Sequence, residues 1–320
     1  MRKISHFILK LIITSGLMYL IYKKMDINTF ILYFNQISTS LIIFISLIPL
    51  LKKSIESYRW FFILKSLKQN VKLKSLFAIY MIGGFFNIIL PSTIGGDTLR
   101  VLYIKNKNFS TLEAANSVLL ERITGVYAML LITFIATIFG WNFFNYEYKF
   151  IILIASGFGL VTLTLLHFNY HIFVSIAKKI KTYFNYKFLD KVYILIKSLD
   201  FSHYKNSVLL NSIAMSILIQ LTFYSITILI GNSLGLNQLK IYHYLILLPP
   251  ILFISILPIS IGGFGVREGL YGLFFMPLGI SLEQSTLLSM LSFLPYLMLA
   301  IFGSVFYIAK QKPSSVIERL

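Results

Sequence analysis

Long apolar stretches follow one another through almost the whole chain, and they leave few ways in which it can fold. A helix needs about 20 apolar residues to cross roughly 30 Å of hydrocarbon. Stretches of about that length occupy 6–22, 40–64, 112–140, 150–166, 207–230 and 283–309. Apolar side chains make up 57% of the residues and charged ones 12%, against about 45–50% and about 25% in a soluble domain. A water-soluble fold could not bury this much apolar surface, so the sequence predicts an all-α polytopic membrane protein.

The charged residues are strongly biased towards bases, with 29 Lys and Arg against 11 Asp and Glu and a net charge of +18. In a soluble protein this bias would indicate nucleic acid, but in a membrane protein bases are distributed relative to the bilayer, so we expect no nucleic-acid partner. The chain has no cysteine, which excludes disulfides and thiolate chemistry. His167 and His171 have no third candidate ligand nearby, and no Walker A, Rossmann or Ser/His/Asp pattern occurs. We therefore expect no metal, no cofactor and no enzymatic activity.

Two further apolar segments, 75–90 and 242–257, each stop at a proline that is followed by a glycine pair. The run from Ile89 to Arg100 aligns without a gap on the run from Ile256 to Arg267, and Leu, Pro, Ile, Gly, Gly and Arg coincide. The same offset pairs Asn70 with Asn237. Internal repeats that Gly and Pro interrupt at corresponding positions indicate the binding site of a transporter. We predict one transmembrane domain over 1–320, with repeats at about 1–140 and 141–310.

The distribution of bases predicts the orientation. If each proline-broken segment is a re-entrant hairpin, most bases lie on the cytoplasmic side, including those of a basic connector at 168–206. The external bases are then only Lys23, Lys24, Lys149 and Lys240. In this arrangement the two halves are inverted copies, each with a re-entrant hairpin. We expect the protein to lie in the plasma membrane with both termini in the cytoplasm. A broken helix is tolerated at depth only where protein or a cavity covers it, so both breaks should face the middle of the bundle.

Ten charged residues fall within the predicted spans and hairpins, and each costs about 2.5–3.5 kcal/mol at the centre of a bilayer. The bases outnumber the acids: Lys52, Lys53, Arg59, Arg100, Arg122 and Arg267 against Glu56, Asp97, Glu121 and Glu268. A cavity with this surplus would suit an anion such as a lipid phosphate, and the helix N-termini after the glycine pairs would add N–H donors. In the alternative interpretation, the charged residues pair with one another and hold the hairpins against the bundle. Lys52 and Lys53 then extend their ammonium groups to the membrane interface.

Arg100 and Arg267 occupy equivalent positions just past the glycine pairs, and we predict that they bind the anionic part of a lipid in one central cavity. Asp97 shares a helix face with Arg100. Adjacent Arg267 and Glu268 point in different directions, as do Glu121 and Arg122, so each should find a partner on another helix. The other predicted lining residues are Arg59, Asn87, Pro91, Gly95, Gly96, Pro258, Gly262 and Gly263.

Three ordered motifs carry a family resemblance: the run 87–100, then Ala114, Ala115, Ser117, Glu121 and Arg122, and then the run 257–268. From about Trp60 to about Ala309 the chain resembles the transmembrane region of lysylphosphatidylglycerol synthases, which stand-alone flippase-like membrane proteins share. The resemblance implies a polytopic bundle with inverted halves that moves an amphiphilic lipid between leaflets. In the two-part synthases, a soluble C-terminal domain transfers lysine from tRNA to phosphatidylglycerol. This sequence ends at Leu320, shortly after its last predicted span, so we expect that domain to be absent.

Three functions remain open at the level of sequence. The first is a flippase for a phospholipid, an aminoacyl-lipid or a polyprenyl-linked glycolipid. The second is an enzyme that modifies lipid headgroups within the membrane, with Asp97 or Glu121 as its base. The third is a non-transporting partner of a lipid-modifying enzyme or a glycosyltransferase, which would dock on the 168–206 connector.

Overall fold

All secondary-structure elements that the computed structural model describes are helices, apart from a few residues in turns. The described residues are 2–89, 95–105, 109–142, 149–184, 189–190, 193, 204–257 and 259–309. Their α-helices are α1 (Arg2–Lys24), α2 (Ile27–Asn35), α3 (Thr39–Ser66), α4 (Leu73–Ile89), α5 (Gly95–Ile104), α6 (Thr111–Phe139), α7 (Lys149–Phe168), α8 (Tyr170–Phe184), α9 (Asn206–Ser233), α10 (Ile241–Ile256), α11 (Val266–Phe275) and α12 (Leu282–Ala309). Short 3₁₀ turns lie at Ile261–Gly263 and Met276–Leu278.

Four helices within the described ranges, α6, α7, α9 and α12, are long and apolar enough to cross a membrane. Helices α2 and α3 pass the same test together, with a bend of 83° between them. The shorter apolar helices α4 and α10 correspond to the two segments that the sequence predicts to break at a proline. These findings confirm a multi-pass helical membrane protein.

The order and lengths of the helices recur along the chain. Helices α3 to α6, here the first quartet, have 28, 17, 10 and 29 residues. Helices α9 to α12, the second quartet, have 28, 16, 10 and 28 residues. Contacts between the quartets are reciprocal: α3 packs on α9, while α4 packs on α12 as α10 does on α6, and α6 packs on α9 as α12 does on α3. Each of these contacts between the quartets therefore has a counterpart with the roles of the quartets exchanged.

Two large apolar cores are centred on different quartets, and the second also includes Ile45 of α3 and Ala136 of α6. The first core surrounds Trp60 and Tyr80, and the second surrounds Tyr224, Tyr244 and Tyr271. Polar and charged side chains that follow the two glycine pairs, among them Asp97, Arg100 and Arg267, line cavities.

Helix α1 supports the second broken segment from outside the quartet. The Thr14 hydroxyl accepts a hydrogen bond of 2.9 Å from the Ile261 backbone N–H. A Cβ atom at Gly265 would lie 2.7 Å from the Cβ of Leu17, so α1 can approach closely only because residue 265 is glycine. The second break is therefore held by α1 as well as by its own quartet.

Candidate functional site

The first glycine pair lets α4 and α5 approach each other closely. A Cβ atom at Gly96 would overlap the backbone carbonyl oxygen of Gly83 on α4. At the same place, the Asn87 side-chain oxygen accepts a hydrogen bond of 2.9 Å from the Gly96 N–H. One of the N–H donors that the sequence assigns to a ligand at this helix start is thus taken by the protein itself. Pro91 lies outside the described residues.

The start of α5 carries Asp97 and Arg100 into a network of buried charges on α3, α5 and α6. The Glu121 carboxylate, whose residue is 3% exposed, contacts the guanidinium groups of Arg100 and Arg59 and accepts a hydrogen bond from the Tyr80 hydroxyl. The Arg59 Nη2 lies 3.3 Å from Glu121 Oε1, and its Nη1 donates to the Ser216 hydroxyl of α9 at 2.6 Å. Glu121 therefore joins α3 to α5 and α6.

Asp97 extends this network towards the cavity. Its Oδ1 lies 3.3 Å from the Arg100 Nη1, which confirms the predicted contact along one helix face. Its Oδ2 lies 2.6 Å from the Arg122 Nη2 and accepts a second hydrogen bond, of 2.7 Å, from the Arg122 Nε. Two donors of the Arg122 guanidinium thus bind one carboxylate oxygen of Asp97, which holds the guanidinium group in one orientation.

Aromatic rings cover the guanidinium group of Arg100. Its central carbon lies 4.2 Å from the ring centroid of Trp60 and 3.9 Å from that of Tyr80. Such cation–π contacts are worth about 2 kcal/mol or more where water is excluded. Together with both carboxylates, they stabilise a charge that would otherwise be expensive to bury.

The second break is formed by backbone that favours glycine. Gly262, Gly263 and Gly265 have φ angles of 61°, 78° and 79°, in the left-handed region where a Cβ atom is strained. The Gly265 N–H, just before α11, donates a hydrogen bond of 2.6 Å to Glu268 Oε2. Pro258 lies outside the described residues.

The prediction that Arg267 and Glu268 point in different directions is wrong, because they pair with each other, but both do have a partner on another helix. The Arg267 Nη2 lies 2.7 Å from Glu268 Oε1, and the Ser289 hydroxyl of α12 contacts both side chains at 3.1 Å. Neighbouring positions diverge around a helix, but the arginine side chain is long enough to fold back over the first turn. The ring of Phe293, 4.0 Å from the guanidinium carbon, packs against it.

A third charged group lies on α3, one turn before Arg59. Glu56 lies 2.8 Å from the Nζ of Lys53 and 3.7 Å from the Nζ of Lys52. The Lys52 ammonium also lies 4.7 Å from the ring centroid of Tyr296 on α12. The side chains of both lysines are only about one-fifth exposed (22% and 20%).

Two adjoining cavities lie among these charged groups. A polar cavity of about 400 Å³ is lined by the Arg59, Asp97, Arg100, Glu121 and Arg122 network. A more apolar cavity of about 340 Å³ is lined by Met81, Phe223, Leu252, Phe293, Leu299 and also by Arg267. The lining residues that the two cavities have in common are Lys52, Lys53, Gly84, Asn87, Met129, Gln220 and Ile256. Lys52 and Lys53 thus mark the junction of the two cavities.

The structure divides eight of the predicted site residues between the two cavities, whereas Gly95, Gly96, Gly263 and Glu268 line neither of them. Arg59, Asn87, Asp97, Arg100, Glu121 and Arg122 line the polar one, while Gly262 and Arg267 line the apolar one, where Asn87 also contributes. The sequence analysis counts Lys52, Lys53 and Glu56 among the charges within the membrane but does not name them as lining residues, and it does not single out Tyr80, Gln220 or Tyr296. The pair of lysines at the middle of the 28-residue helix α3 is the sequence signal that marks Lys52 and Lys53 as unusual, although it does not show which cavity they border.

A comparison with protein families agrees with this picture. The model of the family described as Lysylphosphatidylglycerol synthase TM region matches residues 7–303, nearly the whole chain, which confirms the resemblance seen in the sequence. No curated protein and no solved structure matches the chain significantly. The matched range contains both glycine breaks and all of the charged residues that line the two cavities.

Proposed function

The chain belongs to the Lysylphosphatidylglycerol synthase TM region family, and on that basis we propose that it moves an anionic or amphiphilic lipid between the leaflets of the plasma membrane. The family ties the chain to lipid biology. A phospholipid, an aminoacyl-lipid and a polyprenyl-linked glycolipid all combine a phosphate with long apolar chains, so each is a candidate substrate.

The observation that carries this proposal is the pair of adjoining cavities between the quartets. One is polar and contains the buried charges, and the other is bordered mainly by apolar side chains. A lipid has the same division, so its headgroup fits the first cavity and the start of its acyl or prenyl chains fits the second. Ionisable residues within a membrane typically mark the path of a substrate.

The recurring quartets supply a mechanism. Inverted repeats support alternating access when one repeat rocks against the other around a fixed central site. The reciprocal contacts of α4 with α12 and of α10 with α6 are consistent with such a pair of units. In the proposed topology, both termini are cytoplasmic and the two broken segments are re-entrant from opposite faces of the membrane.

The arrangement of the acids favours transport over catalysis. A general base must be able to reach the proton that it abstracts, whereas Glu121 and Asp97, the two candidate bases, are both engaged by arginines. Their carboxylate oxygens already contact guanidinium groups of the protein, so neither acid is positioned to take a proton from a substrate.

Reconstitution into liposomes tests the proposal. Phosphatidylglycerol with a fluorescent acyl chain is placed in both leaflets, and a membrane-impermeant reductant then bleaches the outer one. We expect the wild type to make more of the probe accessible than protein-free liposomes do. An enzyme, or a partner that transports nothing, would leave the inner-leaflet probe protected, and that result would contradict transport.

A blocking variant makes the test specific to the cavities. Gly84 lies at their junction, and a Cβ atom there would meet only the Cε of Lys53, at 3.9 Å. Gly84→Trp should fill the junction and abolish transfer. Gly16→Trp is the matched control, because a Cβ atom at Gly16 on α1 has open space around it, and this variant should transfer lipid at the wild-type rate.

A further inference from the structure

We propose that Lys52 and Lys53 form the phosphate-binding site of the lipid pathway, while the buried arginines serve mainly to hold the broken segments in place. This inference rests on the proposed transport of lipid. It differs from the sequence-based prediction, which assigns the phosphate to Arg100 and Arg267. The partners of each cation in the structure are the reason for the change.

The protein already binds the guanidinium groups of Arg100 and Arg267, apart from the buried Arg100 Nε, which has no hydrogen-bond partner among the described residues. Arg100 contacts Glu121 and Asp97 and packs between aromatic rings, and Arg267 contacts Glu268 and Ser289. Both residues are less than one-tenth exposed. A phosphate at either group would compete with a carboxylate that is already bound there, and at Arg267 it would leave the buried Glu268 without its cation, which is strongly unfavourable.

Lys52 and Lys53 have N–H donors that are not engaged by the described residues. An ammonium group has three N–H donors. Among the described residues, Lys53 donates a hydrogen bond of 2.8 Å to Glu56, whereas the Lys52 Nζ lies 3.7 Å from the same carboxylate, beyond hydrogen-bond distance. Two positive charges thus share a single acid in the described part of the chain, and one negative charge from a phosphodiester would balance them.

The position of the two lysines favours the cavities over snorkelling. They lie at the middle of α3, so at 1.5 Å per residue each is about 20 Å from either end of the helix. That distance is greater than a lysine side chain can span, and both side chains instead border the cavities. Their charges are therefore directed into the interior of the bundle.

The position of the pair suits a group at the boundary between headgroup and chains. The lysines border both cavities, next to the side-chain amides of Asn87 and Gln220. A phosphate at this junction would leave the rest of the headgroup in the polar cavity and the glycerol or prenyl carbons in the apolar one. Because the phosphate is common to the three candidate lipid classes, the site recognises this group rather than one headgroup.

Binding by the purified full-length protein tests the site separately from transport. The probes are dioctanoyl phosphatidylglycerol, dioctanoylglycerol and inorganic phosphate, and the measurement is the dissociation constant from calorimetric titration in detergent. The wild type should bind the phospholipid, bind inorganic phosphate much more weakly and not bind the diacylglycerol. Equal affinity for the phospholipid and for inorganic phosphate would overturn the lipid assignment, as would a wild type that binds no phospholipid.

Variants at the lysines and their acid give the decisive comparison. Lys52→Gln should weaken phospholipid binding about tenfold, the value of one lost charge-assisted hydrogen bond, and Lys52→Arg should retain most of it. Glu56→Gln should strengthen binding, because it releases both lysines from their acid. The exposed pair Lys23 and Lys24 is the matched control, and its double Gln variant should bind as the wild type does. Thermal unfolding without a probe confirms that each variant is folded.

The results distinguish a failure of this inference from a failure of the proposed function. Unchanged binding by Lys52→Gln and Lys53→Gln would overturn the lysine site even if the wild type transports lipid. If these variants lose binding but the wild type transports no lipid in liposomes, the lysine site is supported and the transport function is contradicted. Loss of binding in Arg100→Lys but not in the lysine variants would return the phosphate to the arginines.

Discussion

Glu121 is the carboxylate that links two buried arginines to the rest of the first quartet. It contacts Arg59 on α3, Arg100 on α5 and the Tyr80 hydroxyl on α4, while it belongs to α6 itself. One carboxylate thus joins all four helices of the first quartet. If it is neutralised, two buried guanidinium groups lose their main partner, and an uncompensated buried charge typically costs about 3–5 kcal/mol.

Glu121→Gln should therefore lower the stability of the protein strongly. We expect a fall of about 3–5 kcal/mol in the free energy of unfolding, measured by chemical denaturation in detergent. Glu113→Gln is the matched control on the same helix. Glu113 is exposed and caps α6 together with Ser110, and Gln also serves at this capping position, so the cost should be within about 0.5 kcal/mol. Equal stability of the two variants would contradict the structural role of Glu121.

At the scale of helices, the packing of α12 on α4 depends on a missing side chain. A Cβ atom at Gly303 would overlap the carbonyl oxygen of Met81 on α4. Small residues that let helix backbones approach closely are typical of interfaces within membranes. Since α4 leads into the first break, this contact also fixes the start of the broken segment.

Gly303→Ala should force the two helices apart. Overpacking of this kind costs about 1–3 kcal/mol, which a lower unfolding temperature in detergent would report. Gly125→Ala on α6, the helix that corresponds to α12 in the first quartet, is the control because a Cβ atom there meets nothing within 4 Å. Replacing a helix-interior glycine by alanine without a clash should stabilise the protein by about 0.5–1 kcal/mol. A stabilised Gly303→Ala variant would refute the close approach.

Helix α8 has an apolar side that stays exposed within the described part of the chain. Ile172, Ile176, Ile180 and Tyr183 follow helical spacing and are all more than 40% exposed, while Lys178 and Lys181 lie on the opposite side. An amphipathic helix with basic residues on its polar side typically lies in the membrane interface. We therefore expect α8 to rest on the bilayer with its apolar side in the lipid.

Spin labels can test this orientation directly because the chain has no native cysteine. A nitroxide on Ile176→Cys should collide mainly with oxygen, which concentrates in lipid. The same label on Lys178→Cys should collide mainly with a water-soluble nickel chelate. Similar accessibility to the chelate at both positions would show that α8 is surrounded by water or covered by another protein.

For the whole molecule, the sequence predicts the class of the fold better than the details of its charged interior. Apolar runs predicted the long helices, because the thickness of a bilayer fixes the length of a span. The spacing of Asp97 and Arg100 predicted their contact, because three residues nearly complete a helical turn. The pairing of Arg267 with Glu268 and the position of Lys52 and Lys53 between the cavities could not be predicted. Both depend on how long side chains fold back and on which helices meet, and neither is a local property of the sequence.

The relation between the two quartets is the largest remaining prediction from the sequence. Repeats in a membrane protein can be related in two ways: an axis in the membrane plane inverts the second repeat, and an axis along the membrane normal does not. The distribution of lysines favours inversion, since the loop between α3 and α4 carries Lys68 and Lys72 on the predicted cytoplasmic side, while the corresponding loop between α9 and α10 is the predicted external one.

Asn70 and Asn237 distinguish these cases, because they occupy equivalent positions in the two loops and both are exposed. Each is replaced by a single cysteine, and intact cells are treated with a membrane-impermeant maleimide before and after permeabilisation. Inversion predicts that Asn237→Cys is labelled in intact cells and that Asn70→Cys is labelled only after permeabilisation. Both cysteines reacting from the same side would mean that the halves are parallel copies. Alternating access by two inverted halves would then have to be given up, even if the protein moves lipid.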